Sequence, residues 1–456
     1  MTERLKKDII KLVIDEVVIE GESVKIFATI PLPNKIHERE MDKTDIPGTF
    51  SARGGSAFGG NATSGATLGP VNETNMTRIW NKHKQSNTPL KRKVLVAMSG
   101  GVDSSVAAAL LKKEGYEVTG GFMKNFSRES WHGVIDDDCP WEADFEDVKK
   151  VCEVLKIPYR SFNFEKEYKE QVIEYFFREY ETGRTPNPDI MCNKKIKFKI
   201  FLDKARELGF DYIATGHYIR LRRKFPIPNS QFPIFELLKG KDTKKDQSYF
   251  LYTLNQEQLA KTLFPIGNYK KSEIRALARK FKLSNAEKKD SQGICFVGHI
   301  DLKEFLKQRI PQKEGVIADS SGNGIGRHSG AWYYTIGQRR GIGIGGGSPY
   351  YVIEKDVKKN IIIVTENKKD KKLFGRNMWL SETHWIYKKP KFPLLCKAKI
   401  RYQQKDQPCV VRLRKNVISV EFKKPQFAPA VGQSIVFYKA NNVLGGGIVE
   451  KIEKLC

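Results

Sequence analysis

Apolar and polar positions alternate in three distinct rhythms along this 456-residue chain. The opening segment carries VVIEGESVKIFATIPLP, an alternating strand pattern closed off by prolines. A stretch poor in large apolar residues follows, PGTFSARGGSAFGGNATSGATLGPVN, whose Gly, Ser, Ala and Thr predict a flexible linker. From Lys93 the chain repeats strand, loop and helix: VLVAM, SSVAAALLKKEG, YEVTGGFM, DFEDVKKVCEVLKI, PYRSFNF. Helices over YKEQVIEYFFREYETG and KIKFKIFLDKARELGF lead to the strand-like DYIATGHY. Such alternation predicts a parallel sheet covered on both faces. After about Ile300 the pattern becomes glycine-rich turns and short β runs, among them NIIIVTE, CVVRLR, VISVEF and QSIVFYK, which predict small, largely antiparallel β domains.

The expected fold class is therefore α/β, a parallel-sheet domain followed by two small β-rich domains, a central one and a C-terminal β-barrel. The boundaries read from these shifts are 1–46 for an N-terminal appendage, 47–90 for the linker and 91–298 for the α/β domain. The two β-rich domains then occupy 299–375 and 376–456.

Charge narrows the class of partner. Eighty Lys and Arg against 53 Asp and Glu give a formal net charge of +27, more than solubility asks of a surface. Nucleic acid is the polyanion that such a surface would attract first. No apolar run is long enough to span a bilayer, so no membrane partner is expected. The first residues mix acids and bases without an apolar core, which argues against a secretory or import leader and for the cytoplasm. Seven cysteines stand at 139, 152, 192, 295, 396, 409 and 456 with no CxxC pair. That speaks against a zinc site or a disulfide framework.

The segment KRKVLVAMSGGVDSSVAAALLKKEG concentrates the chemistry. SGGVDSS falls at the carboxyl end of a strand and the amino end of a helix, where unpaired amides and the helix dipole favour an anion. Gly100 and Gly101 permit close backbone approach, and Ser99, Ser104 and Ser105 add hydroxyls. Neither GxxxxGK[ST] nor GxGxxG is present. Asp103 stands where negative charge would harm phosphate binding, unless a divalent cation intervenes or the acid caps the helix.

Two cysteines have suggestive surroundings. Cys192 lies in TGRTPNPDIMCNKKIKF, where two prolines flanking an asparagine predict an extended loop. Asp189, Cys192 and three lysines would then precede the next helix, and lysines near a helix amino end favour the thiolate. Cys295 lies in AEKKDSQGICFVG, again after acids and lysines. A small buried hydrophobe is the other fate open to each.

SGGVDSS resembles the loop of the N-type ATP pyrophosphatases, the PP-loop family of the adenine nucleotide alpha hydrolase-like fold. Taken in order, SGGVDSS, FMKN, TPNPDIMCN, ATGHY, KDQSYFL and DSQGICF resemble the tRNA-specific 2-thiouridylases, the MnmA-type enzymes. The likeness continues through GRHSGAWYYTIGQRRGIG, KIRYQQKDQ and VGQSIVFYKANNVLGGGIVE, and so covers about Lys91 to Lys451. It implies ATP-dependent 2-thiolation of the wobble uridine in tRNAs of the Lys, Glu and Gln type. It further implies an adenylated C2 carbonyl oxygen, sulfur from a cysteine persulfide, and release of AMP and pyrophosphate.

Carried over by motif, Cys295 would bear the persulfide and Cys192 would be the nucleophile, with Asp189 beside them. The ATP site would comprise Ala97, Met98, Ser99, Gly100, Gly101, Val102, Asp103 and Ser104, with Met123 and Gly216. The tRNA-contacting positions would be Asn187, Pro188, Asp189 and His217, with Lys245, Asp246 and Gln247, and, further on, Arg401, Tyr402 and Gln433. The pair Arg339 and Arg340 of TIGQRRGIG suits phosphate contact.

The cofactors implied are ATP and magnesium, without zinc. An iron–sulfur cluster on Cys192, Cys295 and Asp189 is the less favoured route, because CxxC is absent. The partners implied are tRNA and a sulfur-donating protein, either a cysteine desulfurase or a sulfur-relay protein. Competing readings are a PP-loop amidotransferase or ligase, and a basic RNA-binding protein with a degenerate nucleotide fold. Phe126 stands where many relatives have Trp, and the first 90 residues have no family counterpart. The opening segment weakly resembles the C-terminal tail of large serine recombinases, with no catalytic motif.

Overall fold

The computed structural model describes residues 13–20, 23–29, 91–127, 140–224, 233–289, 302–345 and 348–455. The chain divides into two compact units, Met1–Lys82 and His83–Cys456. Within the first, β1 (Val13–Glu20) and β2 (Ser23–Thr29) form an antiparallel hairpin with a bulge between Ile14 and Glu16. The expected linker lies outside the described residues.

The second unit opens with β3 (Lys93–Met98), α1 (Val102–Lys113), β4 (Glu117–Lys124), α2 (Pro140–Leu155) and β5 (Tyr159–Asn163). A helical run, α3 (residues 165–181), and a second, α4 (residues 188–207), precede β6 (Tyr212–Thr215). Both runs contain wider π-helical turns, at Lys169–Ile173 and Asn193–Ile200.

α4 differs from expectation. Pro188 does not extend the loop but occupies the first position of the helix, where its missing N–H costs nothing and its φ is already helical. Asn187 caps the helix by accepting from the Ile190 N–H at 3.2 Å. Asp189, Cys192 and the lysines after it therefore lie inside the helix.

Next come a hairpin of β7 (Ile219–Lys224) and β8 (Ile234–Lys239), the short α5 (Gln256–Ala260), β9 (Thr262–Leu263) and α6 (Lys271–Lys280). The sheet order β5-β4-β3-β6-β9 is parallel throughout. Because β3 leads to β4 on one side and β6 lies on the other, the crevice beyond the carboxyl ends of β3 and β6 is a topological switch point. Alternation along β3 splits its side chains between two cores: Leu95 and Ala97 face a cluster containing Cys192, whereas Val94, Val96 and Met98 face α1 and α2.

The remaining chain is β-rich. α7 (Leu302–Lys307) brings Phe305 against Phe177 of α3, with ring centroids 5.2 Å apart. β10 (Gly315–Ala318), β11 (Gly324–His328), β12 (Tyr351–Asp356) and β13 (Ile361–Thr365) form a four-stranded sheet in which β10 and β13 run parallel. That sheet is mixed, where turn chemistry alone predicts antiparallel pairing.

β14 (Phe374–Trp385), β15 (Leu394–Lys399), β16 (Gln407–Arg414), β17 (Val417–Phe427), β18 (Ser434–Lys439) and β19 (Asn442–Lys454) close into a six-stranded barrel through the pairing of β14 with β19. The β7–β8 hairpin joins this barrel at Leu238 opposite Asn442, so the α/β segment supplies strands to the C-terminal sheet. Among the described residues no helix is long and apolar enough to cross a membrane.

Candidate active site

The loop between β3 and α1 is held from several sides. Gly100 has φ +70°, and a Cβ there would lie 2.6 Å from the Asp144 carbonyl oxygen of α2, so both conformation and packing require glycine. The Ser104 hydroxyl accepts from the Ser99 N–H at 3.3 Å and donates to the Gly101 carbonyl at 3.1 Å, while Ser105 donates to the same carbonyl at 3.0 Å. The Asn285 amide donates to the Gly100 carbonyl at 2.8 Å and to the Ser105 hydroxyl at 3.0 Å. With its carbonyls engaged this way, the loop leaves the amide-rich start of α1 to face an anion. Gly216 follows β6 against this start, since a Cβ there would lie 2.7 Å from the Ser104 nitrogen.

Asp103 does not cap the helix, one of the two sequence expectations for it: the cap position is Gly101, with no side-chain cap. Its carboxylate accepts from the Tyr218 hydroxyl at 2.6 Å and from Lys271 Nζ at 2.8 Å on both oxygens. A lysine 168 residues away thus compensates the charge. Sequence reasoning missed both partners: Tyr218 ends the ATGHY motif, whereas Lys271 lies in none.

The other nucleotide-loop side chains divide between the two cores. Met98 and Val102 pack on the α1 side, Met98 with its sulfur 3.7 Å from that of Cys152. Ala97 and Met123 belong to the cluster that holds Cys192. Any contribution of Met98 or Val102 to a nucleotide is therefore through the backbone.

Cys192 is fully buried in that cluster. Its helix is anchored by the barrel. Gln433 donates to the Thr185 and Pro186 carbonyls at 2.9 and 3.1 Å, and the Thr185 N–H donates to the Val431 carbonyl at 2.8 Å. Arg184 bridges Glu179 at 2.7 Å and Glu450 at 2.9 Å. A cavity of about 210 Å³ between α4 and the barrel is lined by Asn187, Ile190, Met191 and Lys194. Those positions recur at helical spacing and so define one face of α4; Asp189 and Cys192 lie on another.

Cys295 lies outside the described residues. The chain leading to it is tied down: Lys288 Nζ reaches Asp144 and Asp147, each at 2.6 Å, and Arg275 donates to the Ala286 and Lys288 carbonyls at 2.8 and 2.9 Å. Burial lifts the Asp144 carboxyl above its usual range, against the pull of Lys288. Among the described residues no three His, Cys, Asp or Glu side chains converge as metal ligands.

The positions implied for tRNA contact gather at the seam between the α/β layer and the barrel. His217 is buried, its Nδ1 2.8 Å from the Thr215 hydroxyl, and burial with the nearby Lys197 charge holds its pKa well below the ordinary value. Asp246, also buried, accepts from the Gly240 and Ser248 N–H groups at 3.1 and 3.2 Å and pairs with Lys399 at 3.4 Å. Gln247 accepts from the Tyr218 N–H at 2.9 Å. Arg401 donates to the Ala428 carbonyl, and burial lowers its pKa. Tyr402 packs its ring 4.5 Å from Phe250 beside Lys245, and its phenol is pushed up to about 12 by burial. Arg339 and Arg340 are both exposed.

Similarity to known proteins extends over almost all of the second unit. Residues 92–299 match the family described as tRNA methyl transferase HUP domain, residues 303–366 the tRNA methyl transferase PRC-barrel domain, and residues 375–449 the Aminomethyltransferase beta-barrel domain. The tRNA-specific 2-thiouridylase MnmA of Alkaliphilus oremlandii is 46% identical over 374 residues, covering 81% of this chain and 100% of that protein. That of Idiomarina loihiensis is 47% identical over 368 residues, covering 79% of this chain and 96% of that protein. A solved 4-thiouridine synthetase–RNA complex with bound ATP aligns over 48% of this chain and 50% of that chain, at 18% identity and a TM-score of 0.28, too slight a likeness to add to the fold described above.

Proposed function

As the chain belongs to the tRNA-specific 2-thiouridylase family, we propose that it is a sulfurtransferase that uses ATP to replace the C2 oxygen of the wobble uridine in tRNA by sulfur. The observation that carries this reading is the 46% identity that runs through the whole length of a curated thiouridylase. The geometry supports it to this extent: the amide-rich loop follows the carboxyl end of β3, and Cys192 is buried in the core that Leu95 and Ala97 of that strand face.

In the proposed reaction the uridine O2 attacks the α-phosphorus of ATP, and pyrophosphate leaves from the Ser99–Ser105 loop. Lys271 cancels the Asp103 charge, so the cradle accepts a polyanion without repulsion. Once Lys271 gave way, Asp103 would be the carboxylate of this loop open to a magnesium ion carried in with the phosphates, which would neutralise charge developing on the leaving group. The terminal sulfur of a Cys295 persulfide then attacks C2, and AMP departs with the former O2. Cys192 attacks the Cys295 sulfur, releasing the thiocarbonyl and leaving a Cys192–Cys295 disulfide that a thiol reductant resets. Asp189, one helical turn before Cys192, would serve in proton transfer or base contact.

The tRNA substrates are those of the Lys, Glu and Gln type, the sulfur comes from a cysteine desulfurase or a relay protein, and the reaction is cytoplasmic. Incubating tRNA with the protein, ATP, magnesium and a persulfide source, then weighing the digested nucleosides, tests the reading. A uridine heavier by the exchange of oxygen for sulfur is expected. A methyl gain, or no change with intact tRNA and protein, would sink it.

A further inference from the structure

Asn125 lies one residue past the carboxyl end of β4, is 2% exposed, and has no hydrogen-bond partner for either its amide nitrogen or its carbonyl oxygen among the described residues. A buried primary amide with neither group paired is costly, and native folds rarely keep one without a use for it. The preceding Lys124 is held by Glu165 at 3.2 Å and lies 4.4 Å above the Trp141 ring, and its carbonyl accepts from the Phe164 N–H at 2.8 Å. Met123 and Phe126, on either side, belong to the cluster that contains Ala97 and Cys192. The pairing of Met98 with Phe122 brings this end of β4 beside the Ser99 loop.

Other unmet polar atoms fall in segments the candidate site uses. Of eight buried side-chain nitrogen and oxygen atoms without a partner among the described residues, two belong to Asn125, one to Asn193 directly after Cys192, and one to Asn285, whose amide nitrogen already grips the loop. Half of the total thus comes from three segments that carry or adjoin the candidate site. A cleft built to receive a polar ligand would leave such atoms unpaired until the ligand arrives.

We propose that Asn125 reads the edge of a nucleobase, the adenine of ATP. Its Nδ2–H would donate to a ring nitrogen and its Oδ1 would accept from the exocyclic amino group, the pairing that a carboxamide makes with adenine. Adenine is favoured over the uracil of the substrate by placement. β4 neighbours the strand that carries the pyrophosphate loop, so a nucleotide seated on Ser99–Ser105 can lay its base across the end of β4. This inference rests on the ATP-dependent reaction proposed above, and the test keeps the two apart.

Asn125→Leu has nearly the shape of asparagine and removes both polar groups. The full-length variant and the wild type are compared in ligand-free melting temperature, in direct ATP binding without tRNA, and in KM for ATP and tRNA during thiolation. Expected are a melting temperature equal to or above that of the wild type, ATP binding weakened roughly 10–100-fold, and a tRNA KM within about twofold. A lower melting temperature would make Asn125 a structural residue and overturn the proposal. Unchanged ATP binding would overturn it too, and a raised tRNA KM in that case would assign the amide to uracil. Failure of the wild type itself to bind ATP would instead remove the reaction on which the inference rests. Asn125→Asp serves as a second variant that retains the acceptor and removes the donor, and weakened ATP binding is again expected.

Discussion

The Ser99–Ser105 loop, whose Val102 packs into one core, and the Pro188–Cys192 helix start, which packs into the other, are held in place by different parts of the chain. The loop is fixed from within the α/β layer: Asn285 and the α2 backbone hold its glycine, and Lys271 with Tyr218 holds Asp103. The helix start is fixed from the C-terminal barrel, through Gln433, Val431 and the Arg184–Glu450 pair. On the proposed function, nucleotide binding would then be complete in the first layer, whereas the position of the thiol depends on the barrel. Substitutions should separate the two capacities.

The largest separation is expected from Cys192→Ser. Formation of 2-thiouridine should fall by on the order of a thousandfold or more, because no second sulfur remains to release the product. ATP affinity, measured by titration calorimetry, should stay within about twofold, since Cys192 is fully buried in a different core from the one into which Val102 of the loop packs.

The reverse pattern is expected from Gly100→Ala. A positive φ and a Cβ 2.6 Å from the Asp144 carbonyl oxygen should lower stability by about 2–4 kcal/mol and abolish ATP binding. Chemical denaturation and calorimetry on the same sample read both.

Gly432→Ala sharpens the comparison. Gly432 has φ +92°, and a Cβ there would lie 2.8 Å from the Thr185 nitrogen, so the variant should push the helix entry off the barrel. Thiolation kcat should fall about 10–100-fold with ATP affinity unchanged; equal losses in both would dissolve the distinction between the two supports.

A smaller effect is expected from Lys271→Met, which leaves the Asp103 carboxylate facing incoming phosphate. ATP affinity should fall about tenfold, and adding Asp103→Asn should recover part of it. A double-mutant cycle on ATP binding measures the coupling.

The last concerns pH and, whatever its size in stability, does least to the comparison because it distinguishes neither region. Burial depresses the pKa of His217, His328 and His384, so each is neutral in the fold and binds a proton more readily when unfolded. Stability should then decline as pH falls below the ordinary histidine value near 6.5, by up to about 1.4 kcal/mol per pH unit for each group. Denaturation midpoints between about pH 7.5 and 5.5 check the sign, and His217→Gln should flatten the slope.

Much of this molecule is legible in its sequence. Apolar runs alternating with helical segments state the parallel layer, short β runs state the barrel, and two glycines before a helix state the anion cradle. These are local properties, set by backbone sterics and side-chain period within a dozen residues. One local rule misleads: two prolines read as an extended loop, whereas the second starts a helix because a first-turn position needs no N–H.

What the tertiary structure alone decided is pairing over long separations. Lys271 meets Asp103 across 168 residues and Gln433 meets Thr185 across 248, while a hairpin from the α/β segment extends the barrel sheet. Asn125 shows the same limit in another form, for the FMKN motif gives no sign that the fold buries its asparagine without a partner among the described residues. Each of these outcomes depends on which distant groups come to share one site once the two cores have packed, and no period or spacing along the chain encodes that meeting.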